Sequence, residues 1–166
     1  MGDYVITLAD KDLKVHTRWM IRRDFPEVLD FEDRDPHGWS EALFLATLRQ
    51  RDTIGLVAED PRGVVGVVVY TLHKHHLGLL RLAVHPSVRR RRVGAQLVAR
   101  LVAKLGIHKR QYIDAVVRES DMGALKFFRA CGFRAVELWR EHFEDDDGYL
   151  MRFELPESHR ELGGEG

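Results

Sequence analysis

The chain has 166 residues, of which 26 are Lys or Arg and 26 are Asp or Glu, so its formal net charge is zero. That length fits one domain with a sizeable core, and a hydrophobic fraction of 45% is typical of a globular protein. The longest apolar stretch, 64–70, is far too short for a membrane helix, and the single cysteine excludes an intrachain disulfide. With charged residues near its N-terminus, the chain is expected to be cytoplasmic, without a membrane or nucleic-acid partner.

Short elements separated by Gly, Pro and Asp fill the first half of the chain. Asp24-Phe25-Pro26 has the N-cap residue and first-turn proline typical of a helix start, and 64–72 is a β-branched run that indicates a strand. The pattern predicts, in order, a strand at 16–21, helices beginning at Asp24 and at Trp39, and strands at 54–58, 64–72 and 77–84.

The second half alternates helices and strands. Apolar residues at helical spacing predict a helix over 93–105, and a second helix is predicted over 122–131. Strands are predicted at 112–117, 133–139 and 149–155. This order indicates an α/β or α+β domain over 15–155, with one sheet and helices on both faces. Residues 1–14 are then an N-terminal extension, and 156–166 a polar C-terminal tail.

A basic turn follows the strand that ends at His85-Pro86. Four consecutive arginines occupy 89–92, Gly94 follows, and a helix begins at once. The first N–H groups of a helix have no intrahelical partner, and the helix dipole places positive charge there, so this segment could hold a pyrophosphate. A nucleic-acid patch or a plain solvated surface would explain the same arginines.

Four motifs in chain order resemble the GNAT superfamily of N-acetyltransferases. The segment from Val84 to Leu97 is similar to the superfamily's acetyl-CoA motif, Arg/Gln-x-x-Gly-x-Gly/Ala. Asp24-x-Pro26 with Glu32 resembles its first helix. Trp39-Ser40-Glu41 and the segment 124–133, ALKFFRACGF, resemble the ribosomal-protein alanine N-acetyltransferases.

The resemblance implies a GNAT fold, with a mixed, mostly antiparallel sheet splayed between its fourth and fifth strands. It also implies acetyl transfer from acetyl-CoA to a primary amine by direct attack, by a monomer or homodimer. The cofactor contacts that it implies are backbone at Leu82, Ala83 and Val84 for the pantetheine arm, backbone at Arg89, Arg90, Arg91, Arg92, Val93, Gly94 and Ala95 for the pyrophosphate, and the side chains of Asp121 and Phe128.

The chain departs from the family pattern at three positions. Arg92 stands at the first glycine of the motif, and we expect it to be helical already and therefore unstrained. Phe128 stands where the family usually has the Tyr that protonates the departing thiolate. Val116 stands where the ribosomal subgroup has its Glu general base. These departures leave open a second class of function, a CoA-binding regulatory or degenerate module without efficient turnover.

Substitute bases and an acceptor site can be sought nearby. Strand alternation places Asp114 on the face of Val116, and His142 could also take a proton. The resemblance implies that the acceptor contacts Trp39, His142 and Phe143, and that the 141–148 loop shapes the pocket. The acidic run 144–147 either attracts a cationic acceptor or is a solvated turn.

A site without a strong base favours a particular acceptor. An α-amino group is neutral in about one molecule in ten at pH 7, whereas a lysine is neutral in about one in 2,500. We therefore expect a peptide N-terminus or a small amine as acceptor. The histidines of 73–76 have no regular metal-ligand spacing, so no metal is expected.

Overall fold

The computed structural model describes residues 6–107 and 109–156. The predicted order of strands and helices is confirmed, and 3-10 turns at Arg22–Asp24 and Pro86–Val88 precede α1 and α3. The elements are β1 (His16–Trp19), α1 (Phe25–Glu32), α2 (Glu41–Leu48), β2 (Thr53–Asp60), β3 (Gly63–Leu72), β4 (His76–Val84), α3 (Val93–Val102), β5 (Tyr112–Arg118), α4 (Met122–Ala130), β6 (Arg134–Phe143) and β7 (Asp146–Glu154).

The strands form one sheet in the order β1-β2-β3-β4-β5-β7-β6. The β1–β2, β2–β3, β5–β7 and β6–β7 pairs are antiparallel, and β4 and β5 are parallel. The β4–β5 register runs from His76↔Tyr112 to Leu79↔Ala115, after which β4 continues to Val84. This mixed, mostly antiparallel sheet confirms the predicted fold class.

The chain divides into two compact units, of which the first comprises the residues up to 72 together with 81–100. Its core is formed by apolar residues of α1, α2, β2 and β3, which are Phe25, Val28, Phe31, Phe44, Val57, Val64, Val67 and Val69. The first turn of α3 lies on the opposite face of β3, because a Cβ on Gly66 would stand 3.1 Å from Leu97 and 3.2 Å from Val93. Gly66 therefore allows close packing of α3 on the sheet.

The second unit comprises 73–80 and the residues from 101 onward. An aromatic row runs through its core, with ring centroids 5.0 Å apart for Phe128 and Phe133 and 5.8 Å apart for Phe133 and Phe153. Along β5 every second residue is buried, starting at Ile113. The other face of β5 is half-buried, which confirms the predicted alternation.

The structure corrects some predicted boundaries and caps. The third helix ends at Val102 rather than Leu105. Asp24 precedes α1, but its carboxylate does not cap that helix; it accepts the N–H of Ile21 and pairs with Arg18. β6 extends to Phe143 and β7 begins at Asp146, so most of the predicted 141–148 loop belongs to the sheet.

Candidate functional site

The segment that the resemblance assigns to the pantetheine arm forms the end of β4. Leu82, Ala83 and Val84 are all half-buried. After them the N–H of His85 donates to the Val65 carbonyl oxygen at 2.8 Å. The end of β4 is thus anchored immediately before the chain turns into the basic segment.

The arginine loop, residues 89–92, lies outside α3, which begins at Val93. Arg90 and Arg92 both have a φ of 64°, in the left-handed region. This conformation costs a non-glycine residue about 1–2 kcal/mol. The expectation that Arg92 is helical and unstrained is therefore wrong. Arg92, which stands at the first glycine of the family motif, thus has a backbone conformation that favours glycine.

The charges of the arginine loop are available to an anion. Arg89, Arg90 and Arg92 are exposed and Arg91 is half-buried. Within the parts of the chain that the structure describes, no carboxylate forms an ion pair with any of the four. The N–H groups in the first turn of α3, at the buried Val93 and Gly94 and the half-buried Ala95, have no earlier helical residue to bond. Cations beside a helix N-terminus fit the phosphates of CoA.

Arg81 links β4 to α1 and to the segment that follows it. Its guanidinium lies 2.9 Å from a Glu32 oxygen and 3.0 Å from an Asp35 oxygen. Glu32 is only 1% exposed and also accepts the backbone N–H of Trp39. Burial acts to raise the pKa of Asp35, but the bonds from the His37 backbone and Arg81 outweigh it, so that pKa lies below its ordinary value. Arg81 therefore fixes the path of the chain between α1 and α2.

Trp39 stands at the start of α2, where an acceptor contact is predicted. The Ser40 side chain caps this helix by accepting the Leu43 N–H at 3.1 Å. The Trp39 ring is half-buried and packs edge-on against Phe44, with the ring centroids 5.1 Å apart. Trp39 is therefore held from both its backbone and its ring, and its contact with an acceptor stays a prediction.

The half-buried face of β5 carries Asp114, Val116 and Arg118, as alternation predicts. The Asp114 carboxylate is held by Arg152 through two bonds of 2.7 and 3.0 Å, and the same bond raises the pKa of Arg152. The structure thus gives the Asp114 carboxylate a structural partner in Arg152, and the role of Asp114 as a base stays a prediction.

The two predicted cofactor residues of α4 have other partners in the structure. Asp121 caps α4 by accepting the N–H of Ala124 at 3.0 Å. Phe128 is 6% exposed, and its ring packs against Phe127 and Phe133. These contacts give Asp121 a helix-capping role and Phe128 a core role. A contact of either residue with CoA stays a prediction.

The predicted acceptor residues His142 and Phe143 lie at the end of β6, beside a bulge. Trp139 pairs with Gly148 and Phe143 with Asp146, so three residues of β6 oppose one residue of β7. Glu141, in the bulge, has a φ of 53°. The hairpin therefore closes in a two-residue turn, and a bulge rather than a loop presents the aromatic side chains.

The side chains around this bulge form an aromatic cluster. The His142 ring lies 5.2 Å from the Trp139 ring and 4.8 Å from the Phe143 ring. The Arg118 guanidinium sits over Phe143 at 4.3 Å from the ring centroid, a cation–π contact. His142 and Phe143 thus form one cluster with Trp139 and Arg118, and their contact with an acceptor stays a prediction.

Three carboxylates of the acidic run are engaged within the hairpin. Asp145 pairs with Arg118, Asp146 accepts from the backbone and hydroxyl of Ser120, and Asp147 accepts the Glu141 N–H. The bonds from Ser120 hold the pKa of Asp146 below its ordinary value. The run therefore stabilises the turn and the bulge, and its alternative role of attracting a cationic acceptor stays a prediction.

The histidines near residue 75 pack against one another and against Tyr112. His73 and His76 stack with their ring centroids 4.3 Å apart, and His76 stacks on Tyr112 at 4.8 Å. Burial, with the nearby His73, lowers the pKa of His76. Among residues 6–107 and 109–156, no group of three His, Cys, Asp or Glu side chains is placed to hold a metal ion. No helix in those ranges is long and apolar enough to span a membrane.

The acetyltransferase (GNAT) family profile matches residues 16–133, and the chain belongs to that family. It is therefore an acetyltransferase that uses acetyl-CoA to acetylate amines. Comparison with curated proteins gave no match.

Solved structures share the fold at low sequence identity. Ard1 from Thermoplasma volcanium is 20% identical with a TM-score of 0.77, over 87% of this chain and 100% of that one. The ribosomal-protein-S18-alanine N-acetyltransferase from Escherichia coli is 18% identical with a TM-score of 0.75, over 85% and 94%. Chaetomium thermophilum Naa20, in complex with a bisubstrate analogue, is 20% identical with a TM-score of 0.75, over 91% and 90%.

Proposed function

We propose that this enzyme acetylates the N-terminal α-amine of a protein or peptide, or a small amine, with acetyl-CoA as donor. The observation that carries the proposal is the arginine loop before α3, whose four guanidinium groups form no ion pair with a carboxylate of residues 6–107 or 109–156. The choice of an α-amine as the acceptor rests on the resemblance to the alanine N-acetyltransferases. The similarity to Naa20, which was solved in complex with a bisubstrate analogue, supports the same acceptor class.

The chain's own groups then have distinct tasks. The arginine loop and the first turn of α3 bind the phosphates of CoA. The pantetheine arm binds to the backbone of Leu82, Ala83 and Val84. The N–H groups of this backbone stabilise the negative charge that develops on the thioester carbonyl oxygen. Trp39, His142 and Phe143 bind the acceptor. Acetyl-CoA, when bound, supplies an activated thioester.

The reaction is a direct transfer. The neutral amine attacks the thioester carbonyl carbon, a C–N bond forms, the C–S bond breaks, and the amine proton passes to solvent. A thiol with a pKa of about 8.5 leaves tolerably well as a thiolate. The absence of a hydroxyl at Phe128 therefore slows the reaction without preventing it, since general acid catalysis typically contributes about 10²–10⁴ in rate.

A second function, a CoA-binding module without efficient turnover, is favoured by the apolar Val116 and by the burial of Phe128 at 6% exposure. Release of free CoA thiol from acetyl-CoA, measured across a panel of peptides and polyamines, separates the two. Acceptor-dependent thiol release together with a mass gain of one acetyl group supports the enzyme. CoA binding with thiol release at the background rate for every acceptor would establish the module.

Restoring a carboxylate at the base position is expected to accelerate the reaction. Val116 lies on the half-buried face of β5, beside the β7 backbone at Gly148. Val116→Glu should raise kcat/KM at pH 7 about tenfold or more, because a positioned general base contributes about 10²–10⁴.

Val116→Gln is the matched control, since it has nearly the same shape and no basic carboxylate. It should leave kcat/KM within about threefold of the wild type. Steady-state rates of thiol release for the three proteins, each with its thermal midpoint recorded, make the comparison. Equal rates for the Glu and Gln variants would show that residue 116 does not face the reacting amine.

A further inference from the structure

The arginine loop holds a conformation that its own residues do not favour. Arg90 and Arg92 are left-handed, and neither is a glycine or an asparagine. Such strained residues persist only where the surrounding structure determines their conformation. The loop is exposed at three of its four arginines, so an external support is needed.

A segment well before the loop in sequence provides backbone contacts to it. The N–H of Leu13 donates to the Arg91 carbonyl oxygen at 3.0 Å. The Arg91 Nε donates in return to the Lys11 carbonyl oxygen at 3.2 Å. The segment is itself closed by a turn in which Ala9 and Asp12 exchange two bonds, of 2.7 and 2.9 Å. We name residues 9–15 the N-terminal strap.

Gln96, in the first turns of α3, joins the strap to the loop. The residue is buried, at 8% exposure. Its Nε2 donates to the carbonyl oxygens of Leu13 at 2.7 Å and Arg92 at 3.2 Å, and its Oε1 accepts the N–H of Val15 at 3.2 Å. Both donors and the acceptor of the amide are therefore used.

The partner of Gln96 in the loop is the strained residue itself. The Arg92 carbonyl oxygen accepts both the Gln96 side chain and the Gln96 backbone N–H, the latter at 3.1 Å. Two bonds from α3 thus fix the peptide unit that follows Arg92, and the strap fixes Arg91 beside it. A glycine at 92 would take this backbone conformation without that support.

We propose that Gln96 and the N-terminal strap form a positioning device that holds the arginine loop in the conformation required for the phosphates of CoA, and that this device allows an arginine to replace the glycine at position 92. The inference rests on the proposed function in taking the loop as the phosphate site. It adds that residues remote in sequence, which do not touch the cofactor, set the affinity for CoA.

Gln96→Leu tests the device because leucine has a similar volume and forms no hydrogen bond. We expect the Kd for CoA and the KM for acetyl-CoA to rise about tenfold, with kcat and the acceptor KM within about twofold. In the Arg92→Gly background, the same substitution should raise the Kd less than about threefold, because glycine needs no support. Arg92→Gly alone gives the reference Kd for that background.

Two further variants guard against a general loss of folding. Leu13→Pro removes the N–H that donates to Arg91, whereas Leu13→Ala keeps it. The proline variant should weaken CoA binding like Gln96→Leu, and the alanine variant should not. Calorimetric titration of each protein with CoA gives the Kd, and the thermal midpoint reports folding.

The outcomes separate this inference from the proposed function. Wild-type protein that does not bind CoA would overturn both. Wild-type protein that binds CoA while Gln96→Leu binds it equally well would overturn the device alone. An equal loss of affinity from Gln96→Leu in the wild-type and Arg92→Gly backgrounds would likewise overturn it, because Gln96 would then act on α3 and not on the strained residue.

Discussion

Replacing Arg81 by methionine is expected to lower the free energy of unfolding by about 3–5 kcal/mol. Arg81 is the cation that faces Glu32, whose side chain has a relative exposure of 0%, and the Arg81 side chain itself is 14% exposed. Methionine keeps much of the buried stem but leaves the Glu32 carboxylate without its guanidinium partner in a site closed to water. Urea denaturation followed by circular dichroism measures the loss.

The exposed pair of Arg34 and Asp30 provides a matched control in the same unit. Its side chains are 53% and 56% exposed, and the two residues are spaced i,i+4, with Arg34 just beyond the end of α1. Arg34→Met should change the free energy of unfolding by less than about 0.5 kcal/mol, because water already screens this pair. A loss below about 1 kcal/mol for Arg81→Met would contradict the assignment of a buried ion pair.

A second substitution shows whether charge or shape is responsible. Glu32→Gln in the Arg81→Met background removes the buried charge and keeps an oxygen that can accept the Trp39 N–H. We expect this double variant to regain at least half of the lost stability. The acceptor KM of both variants is measured as well. If Arg81→Met raises this KM and the double variant regains stability without lowering it, the ion pair also positions the segment between α1 and α2 for the acceptor.

The fold could be predicted because its elements differ in period. The β-branched run in β3 and the helical spacing in α3 identify those elements locally, so their order follows from the residues alone. The bulge of β6 could not be predicted. It depends on a positive φ at Glu141 and on the hydrogen bond that the Glu141 N–H donates to the Asp147 carboxylate, and neither leaves a pattern in the sequence.

The site could be predicted only where a local motif carries it. The arginine loop is contiguous, and its resemblance to a family motif located it. The contacts that hold it involve Gln96 and Leu13, 83 positions apart, and Arg81 and Glu32 are 49 positions apart. Such pairs become visible only when the chain is folded. The strain at Arg92 can also be recognised only from the structure, since an arginine at that position of the motif is equally compatible with a helical backbone.

A free N-terminal α-amine is expected to be acetylated about 100-fold faster than a lysine side chain at pH 7, compared as kcat/KM. At pH 7 the free-energy cost of reaching the neutral form is about 3 kcal/mol lower for the α-amine than for the lysine side chain. Val116 stands where the resemblance places the family's Glu base, and Asp114 is held by Arg152, so we expect the described residues of β5 to give little help in removing the proton. One peptide with a free N-terminus and no lysine, and the same peptide N-terminally blocked with one lysine, measure the ratio.

The pH profile shows where the proton goes. Without a general base, log kcat/KM should rise by one unit per pH unit until the acceptor amine itself is neutral, near pH 8 for the α-amine and about pH 10 for lysine. Catalysis by a histidine would add a limb near about pH 6.5. His142→Gln, which keeps a polar side chain beside Trp139 and Phe143, should leave the profile unchanged. A limb that disappears in this variant would identify His142 as the base, and equal rates on the two peptides would exclude an α-amine preference.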